Sequence, residues 1–233
     1  MLQKTLENLA VLFPKLLDGA LVTLEVTAVA LIFGVLVGLL ACLAKMSRFW
    51  IPRAIANVYI EIIRGTPILV QALLFYFGGP VVVKTIAVFI TGDPTLKFPF
   101  DPIISGMVIC SLNSGAYVSE IFRAGIQSVD KGQMEAARSL GMTHKQAMNK
   151  IILPQAVRTI LPSLGNEFVV LVKETSILSV IGVTEITKAG QYHNATTFTP
   201  FSTFFGVACV YFVLTFTLSR LVNLLERRMA AGD

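Results

Sequence analysis

The sequence predicts an all-α integral membrane protein with five transmembrane helices. Hydrophobic residues make up 55% of its 233 residues and charged residues only 14%, whereas water-soluble domains carry roughly a quarter charged residues. The apolar residues form continuous runs of about 20 or more, the helix length that crosses a hydrocarbon core of about 30 Å. Because these runs do not alternate with polar residues, helices and not barrel strands are the expected spanning form. The length suits a single domain over residues 1–233.

Five stretches are apolar and long enough to cross a bilayer as helices. The predicted spans are 20–44, 51–77, 102–122, 161–183 and 201–225. The second is interrupted by Gly65 and by Pro67, which lacks an amide donor, so the helix is expected to break there and to free backbone groups. In other transporter folds such breaks supply groups to a substrate. A further apolar stretch, 81–90, is short and contains Lys84, so we expect a loop or a re-entrant segment.

The distribution of basic residues predicts the orientation of these spans. With the N-terminus outside, twelve of the 19 Lys and Arg residues lie in cytoplasmic segments, five lie outside, and Arg64 and Lys173 lie within spans. A sixth crossing at 81–90 would move every later segment to the other side and remove this bias. We therefore expect an outside N-terminus and a cytoplasmic C-terminus. Because the basic residues lie between apolar runs and not on a hydrophilic surface, they do not indicate nucleic-acid binding.

The segment 124–160, between the third and fourth spans, is predicted to form a rigid helical hairpin in the cytoplasm. A capping pattern, an oxygen-bearing side chain followed three residues later by glutamine, occurs at Asp130 and again at Thr143. Gly141 can adopt the left-handed conformation that ends a helix. Pro154 is expected to end or bend the second helix.

Part of this hairpin resembles the EAA loop of bacterial ABC importer permeases. Residues 135–137 (EAA) are followed by three residues, a glycine, nine residues and then 151–154 (IILP). Three more stretches resemble the polar-amino-acid subfamily, whose members carry histidine, glutamine, arginine and related solutes. They are 61–71 (EIIRGTPILVQ), 113–120 (NSGAYVSE) and 173–176 (KETS). The likeness covers the chain from about residue 19 to residue 225.

The resemblance implies a type I ABC importer transmembrane domain in the bacterial cytoplasmic (inner) membrane, surrounded by lipid. It implies separate ATPase subunits that bind ATP and Mg²⁺, a second permease subunit, identical or related, and an extracytoplasmic substrate-binding protein. It also implies that the short helix near 135–140 is a coupling helix that docks into a groove of the ATPase. The expected coupling residues are Glu135, Ala136, Ala137, Leu140, Gly141, Ile151, Leu153 and Pro154.

Ionisable side chains within the spans indicate where a solute passes, because each costs at least ~2.5 kcal/mol to insert and usually faces the bundle interior. Acidic residues outnumber basic ones there, which favours a cargo with a positive charge. The ammonium group of a free amino acid suffices, and a basic side chain such as that of arginine is a further extrapolation. Glu61 and Arg64 stand three residues apart and can pair, so a structural salt bridge and a substrate role both stay open.

A polar stripe on the third span has two interpretations. Asn113, Ser114, Tyr117 and Glu120 recur at spacings that place them on one helix face, which is typical of a water-lined path or of a hydrogen-bonded seam between helices. Lys173 and Glu174 are adjacent and must point in different directions. The candidate pathway residues are Glu61, Arg64, Thr66, Asn113, Ser114, Tyr117, Glu120, Glu167, Lys173, Glu174, Thr175 and Ser176.

The motifs that are missing from the sequence support a transport subunit. No phosphate-binding G-x-x-x-x-G-K-[ST] pattern occurs, so any ATP must be bound by another chain. No catalytic-nucleophile motif and no metal-ligand spacing occur either, so we expect neither an enzyme nor a cofactor or metal in this chain. Gly34 and Gly38 form a GxxxG pattern, which we expect to pack helices within the chain and not in a dimer.

Three alternatives are open at this point. The first is a secondary transporter or channel coupled to an ion gradient, which would need inverted repeats or an ion site and would leave the EAA pattern unexplained. The second is an ABC permease for another small polar solute, such as an organic ion or a dipeptide. A membrane-embedded enzyme has the least support.

Overall fold

Helices form the regular structure of this protein in a computed structural model that describes residues 2–230, with side chains described for 8–228. Within 2–230 there is no strand. The predicted domain 1–233 therefore includes Met1 and residues 231–233, which lie outside the described residues. The helices are α1 (Leu2–Lys45), α2 (Trp50–Gly65), α3 (Ile68–Leu73), α4 (Gly79–Thr91), α5 (Pro102–Gln127), α6 (Lys131–Ser139), α7 (His144–Ala147), α8 (Leu153–Glu174), α9 (Ile186–Thr197) and α10 (Pro200–Ala230).

Three short segments of other helical types join these helices. Leu74–Gly78 is π-helical and joins α3 to α4, and Met148–Ile152 is π-helical and joins α7 to α8. Thr175–Ile181 is a 3₁₀ segment that follows α8 directly and ends at Gly182, whose φ is 95°. The helical path is therefore continuous over two long stretches of chain, 68–91 and 144–181, although its hydrogen-bond pattern changes within each.

Three helical stretches are apolar and long enough to cross a membrane within the described part of the chain. They are Asn8–Lys45, Ile68–Thr91 and Pro200–Arg228. The first and third contain the predicted spans 20–44 and 201–225. The all-helical architecture predicted from composition is thus confirmed.

The break predicted within the span 51–77 is present, because the helix ends at Gly65 and a new helix begins at Ile68. Of the two alternatives expected for 81–90, the loop is wrong, because this stretch continues the second helix to Thr91. Lys84 does not stop the helix, since a long side chain can extend its charged end away from apolar surroundings.

Helices α1 and α5 pack side by side in the same direction. A Cβ added at Gly34 would lie 3.1 Å from the Cβ of Ser114, and one added at Gly38 would lie 2.7 Å from the Val118 side chain. Only glycine permits this approach, so the GxxxG pattern packs helices within the chain, as predicted. Because the two helices are parallel, the chain between them must return from one end of the bundle to the other.

The α-helix at the fourth predicted span, 161–183, begins and ends earlier in the chain than predicted. Helix α8 begins at Leu153 and ends at Glu174, and the remainder is the 3₁₀ segment. Pro154 does not end the helix that reaches it. The proline would clash with the carbonyl of residue 150 in an α-helix, but Lys150 lies in the π-helical segment, where the usual i−4 pairing is replaced.

The apolar core lies where α1, α5 and α8 meet. Val26 and Ala30 of α1, Ile109 of α5 and Leu171 of α8 are buried together there. Outside this core many large apolar side chains remain exposed, such as Phe89 on α4 at 90%. Such a surface suits a hydrocarbon solvent and not water.

Candidate transport pathway and coupling hairpin

The hairpin predicted from the capping pattern is present, and its turn has the predicted geometry. Asp130 caps α6 by accepting a hydrogen bond from the Gly132 amide at 2.6 Å. At the other end Gly141 has a φ of 86°, and the Met142 amide donates to the Ala137 carbonyl at 3.1 Å. This is the Schellman arrangement, which satisfies carbonyls at a helix end.

The second helix of the hairpin begins with a complete capping box. The Thr143 amide donates to Gln146 Oε1 at 2.8 Å, and the Gln146 amide donates to Thr143 Oγ1 at 3.3 Å. At the first helix, the Gln133 side chain accepts a bond from Gln155 Nε2 at 3.4 Å. That bond joins α6 to α8, so the hairpin is attached to the helix that follows it.

The expected coupling residues divide into an exposed tip and a packed base. Glu135, Ala136, Gly141 and Leu140 are exposed, and the Leu140 side chain is 85% exposed. Ala137 is buried against the rest of the hairpin. At the base, Ile151 and Leu153 are half-buried and Pro154 is exposed. An apolar side chain as exposed as Leu140 at the tip of a structured turn is suited to contact with another protein.

The helix break between α2 and α3 is held by one glutamine. Thr66 and Pro67 are extended, with ψ of 144° and 136°, as expected of a proline and the residue before it. Gln71 Nε2 donates to the Ile63 carbonyl at 2.8 Å and lies 3.0 Å from the Thr66 carbonyl. Asn113 Nδ2 donates to Gln71 Oε1 at 3.1 Å, which ties the break to α5.

These bonds correct the expectation that the broken helix offers free carbonyls to a substrate. Gln71 already occupies the carbonyls of Ile63 and Thr66. The Thr66 hydroxyl also donates to the Ile62 carbonyl at 2.8 Å. The break instead shapes the wall of a cavity.

This cavity, called here the break cavity, has a volume of about 350 Å³, within the usual range for small-molecule sites. It combines a cation, Arg64, and an anion, Glu174, with neutral polar groups. Its lining residues are Arg64, Gly65, Thr66, Pro67, Ile68, Asn113, Tyr117 and Glu174.

A second cavity, called here the hairpin-side cavity, lies beyond Arg64 and Tyr117 and has a volume of about 470 Å³. The Arg64 guanidinium carbon lies 5.3 Å from the centre of the Tyr117 ring, a cation–π contact. Both residues border both cavities. The hairpin-side cavity is lined by Arg64, Tyr117, Glu120, Ile121, Ala124, Gly125, Ser128, Thr159, Ser163 and Glu167.

The polar stripe on α5 makes hydrogen bonds between helices along its buried side. Ser114 donates to Glu167 Oε1 of α8 at 2.9 Å. Glu120 accepts from Lys45 of α1 at 2.7 Å and from Arg123 at 2.6 Å. The stripe is therefore a seam between helices, while Tyr117 and Glu120 also line the cavities described above.

The remaining candidate residues lie apart from the two cavities. Glu61 is exposed on α2, and the ion pairs among the described side chains do not join it to Arg64. Lys173 and Ser176 line a third cavity of about 500 Å³, so Lys173 and Glu174 do point in different directions. Thr175 is fully buried and its hydroxyl donates to the Val172 carbonyl at 2.8 Å.

Two kinds of residue at this site are missing from the predicted set. Gln71 holds the break, and an amide side chain one turn after a proline in an apolar run is a signal that could have identified it. Thr159 and Ser163 line the hairpin-side cavity. They stand four residues apart on one face of α8, but only the packing against α5 shows that this face borders a cavity.

A bundle of apolar helices with cavities lined by charged residues and an exposed hairpin has the architecture of a membrane transport subunit. The family model that matches residues 30–231 is described as the binding-protein-dependent transport system inner membrane component. The match covers most of the chain, so the protein belongs to this family. It is an inner-membrane permease subunit of an ABC import system and not an enzyme.

Individual relatives and solved structures agree with this assignment. The chain is 38% identical to the glutamine transport system permease protein GlnP of Escherichia coli over 216 residues, covering 93% of each chain. It has 44% sequence identity to the chain in the crystal structure of an amino acid ABC transporter with histidines. The TM-score is 0.83, and the match covers 93% of this chain and 94% of that chain. The inward-facing methionine ABC transporter MetNI shares the fold alone, at 16% identity, a TM-score of 0.69 and coverage of 92% and 96%.

Proposed function

We propose that this subunit conducts a polar amino acid through the break cavity during ATP-driven import. The observation that carries the proposal is that Arg64 and Glu174, residues of opposite charge, both line the wall of one small cavity. An α-amino acid carries a carboxylate and an ammonium group on one carbon. Arg64 suits the carboxylate because a guanidinium offers a planar fork of donors, and Glu174 suits the ammonium.

The side chain of the amino acid meets neutral groups in this cavity. Thr66, Asn113 and Tyr117 line it beside the charged pair, and they can hydrogen-bond a polar side chain such as that of glutamine or histidine. The names of the similar proteins, a glutamine permease and an amino acid transporter with histidines, support this cargo class. A basic side chain such as that of arginine also suits this pathway, because the carboxylate of Glu167 lines the adjoining cavity.

The proposed topology has five spans, with the N-terminus outside and the C-terminus in the cytoplasm. Helix α2 and the stretch Ile68–Thr91 act together as one crossing that is broken at the cavity. The parallel packing of α1 and α5 supports this count, because it requires an odd number of crossings between them. A six-span chain that crossed twice in this segment would need the two helices antiparallel.

The proposed coupling device is the hairpin around Gly141. Its exposed tip, with Glu135, Ala136 and Leu140, docks into a groove of an ATPase subunit that binds ATP and Mg²⁺. Two permease subunits, identical or related, pair across the pathway, and an extracytoplasmic binding protein delivers the amino acid. ATP binding and hydrolysis then shift the bundle between two states that differ in their affinity for these partners.

Purification of the chain with its co-expressed partners tests this proposal. Loaded binding protein should stimulate ATP hydrolysis by the complex with glutamine, histidine or arginine, and not with a sugar or a dipeptide of similar size. Stimulation by an unrelated solute alone would contradict the cargo. Labelling single cysteines with a membrane-impermeant maleimide tests the topology, since Asp93→Cys should react from outside and His144→Cys only after the membrane is opened.

A further inference from the structure

The hairpin-side cavity repeats the charge arrangement of the break cavity. Arg64 borders both, and the carboxylate of Glu174 in one cavity corresponds to that of Glu167 in the other. The two glutamates stand seven residues apart on α8, two turns and about 10 Å along one helix face. The Arg64–Tyr117 pair lies between the two cavities.

Glu167 has more capacity for a further bond than Glu120, the other carboxylate of this cavity. Glu120 is already paired with two cations, Lys45 at Oε1 and Arg123 at Oε2. Glu167 accepts one bond, from Ser114 to Oε1, and an ionised carboxylate has about four acceptor positions. Arg64 lies over the Tyr117 ring, and neither of the two ion pairs among the described side chains involves it, so its guanidinium can still pair with a carboxylate.

We propose that the hairpin-side cavity is a second binding station, which the amino acid occupies after the break cavity. This inference rests on the proposed function. The amino acid keeps its carboxylate on Arg64 while its ammonium group leaves Glu174 and binds Glu167. The solute thus turns about one fixed cation and passes Tyr117 on the way to the cavity beside the hairpin.

A transfer of this kind limits the cost of moving a doubly charged solute through a low-dielectric interior. An unpaired charge there costs far more than a paired one. With Arg64 common to both stations, the carboxylate stays paired throughout, and only the ammonium group changes partner. The volumes of about 350 and 470 Å³ are each large enough for one amino acid.

Glu174→Gln and Glu167→Gln are matched variants that separate the two stations. Each is made in the complete complex with its ATPase, and the probes are radiolabelled L-glutamine, L-histidine and L-arginine. Equilibrium binding is measured without the binding protein, and initial uptake is measured with saturating loaded binding protein. Glu174→Gln should weaken binding at least tenfold, while Glu167→Gln should change binding less than twofold and slow uptake at least tenfold.

A packing role of Glu167 is tested with Ser114→Ala, which removes the bond but retains the carboxylate. Uptake in this variant should fall clearly less than in Glu167→Gln, and Glu167→Asp should restore part of the rate. The second station is overturned if Ser114→Ala is as slow as Glu167→Gln, if Glu167→Gln weakens binding as Glu174→Gln does, or if it changes neither property. Failure of the wild-type complex to bind or import any probe would overturn the proposed function and this inference together.

Discussion

The Arg64 guanidinium lies over the Tyr117 ring, 5.3 Å from its centre, and this pair forms the common wall of two polar cavities. Arg64 belongs to the last turn of α2, immediately before the break. The break therefore places a cation at the end of a helix, where it borders both cavities at once.

Arg64→Lys should weaken amino acid binding about tenfold, which corresponds to ~1.4 kcal/mol. Lysine keeps the charge but loses the planar fork that binds a carboxylate through two bonds, and it stacks less well on an aromatic ring. Equilibrium binding to the purified complex measures the effect. Arg53→Lys on the same helix is a matched control, because Arg53 donates to the Ser47 carbonyl outside the cavities. Equal losses in both variants would contradict the assignment of Arg64.

Gln71→Leu should destabilise the complex by about 1–3 kcal/mol, because it leaves the Ile63 and Thr66 carbonyls without the amide that satisfies them. Thermal unfolding in detergent measures the loss. Gln191→Leu is the control, since Gln191 is exposed on α9 and lies outside the break. That change should stay within about 0.5 kcal/mol. A Gln71 variant as stable as the control would show that the break does not depend on this side chain.

The hairpin was predictable from sequence because the signals that define it are local. Capping at Thr143 and the left-handed glycine at 141 act over a few residues, and the structure reproduces both. The extent of the helix after Pro67 is not predictable from Lys84, because one long charged side chain does not stop a helix. Pro154 does not end its helix either, because a π-helical segment accommodates it.

The division of the proposed pathway into two cavities could not be predicted from the sequence. Residue type and spacing identified Arg64, Tyr117, Glu167 and Glu174 as candidates. Their separation into two sites depends on how α2, α5 and α8 pack against one another, and no local pattern encodes that. The pairing of Glu120 with Lys45 has the same origin, since it joins residues 75 positions apart.

Glu120→Gln should slow uptake while the ATPase still co-purifies with the permease. The change leaves Lys45 and Arg123 facing a neutral amide, which loosens the contact between α1 and α5 beside the hairpin-side cavity. A double-mutant cycle with Lys45→Met should give a coupling of about 1 kcal/mol in unfolding free energy, since the pair is partly exposed. Loss of the ATPase from the Glu120 variant would instead assign this residue to the subunit interface.

Leu140→Ser should weaken docking of the ATPase without affecting insertion of the permease. Leu140 is 85% exposed, so its loss removes little packing within the chain. Phe201→Ser is a matched control, because Phe201 is equally exposed at the start of α10. Co-purification of the ATPase should fall for the first variant only, and a loss in both would show that the effect is not specific to the hairpin.

Glu135→Arg and Gly141→Pro should both abolish ATP-driven uptake. The first reverses a charge on the exposed face of α6, and the second cannot adopt the φ of 86° at the turn. Proteolysis of membrane vesicles checks that both variants insert correctly. Uptake at the wild-type rate in either variant would remove the hairpin from the coupling mechanism.

The most direct test of the central claim is solute uptake into vesicles that contain either the complete complex or the isolated permease subunit. With the complete complex, enclosed ATP and external loaded binding protein should drive accumulation of a polar amino acid. The isolated subunit should accumulate none under a proton or sodium gradient. Uphill transport by the isolated subunit on an ion gradient would contradict the account.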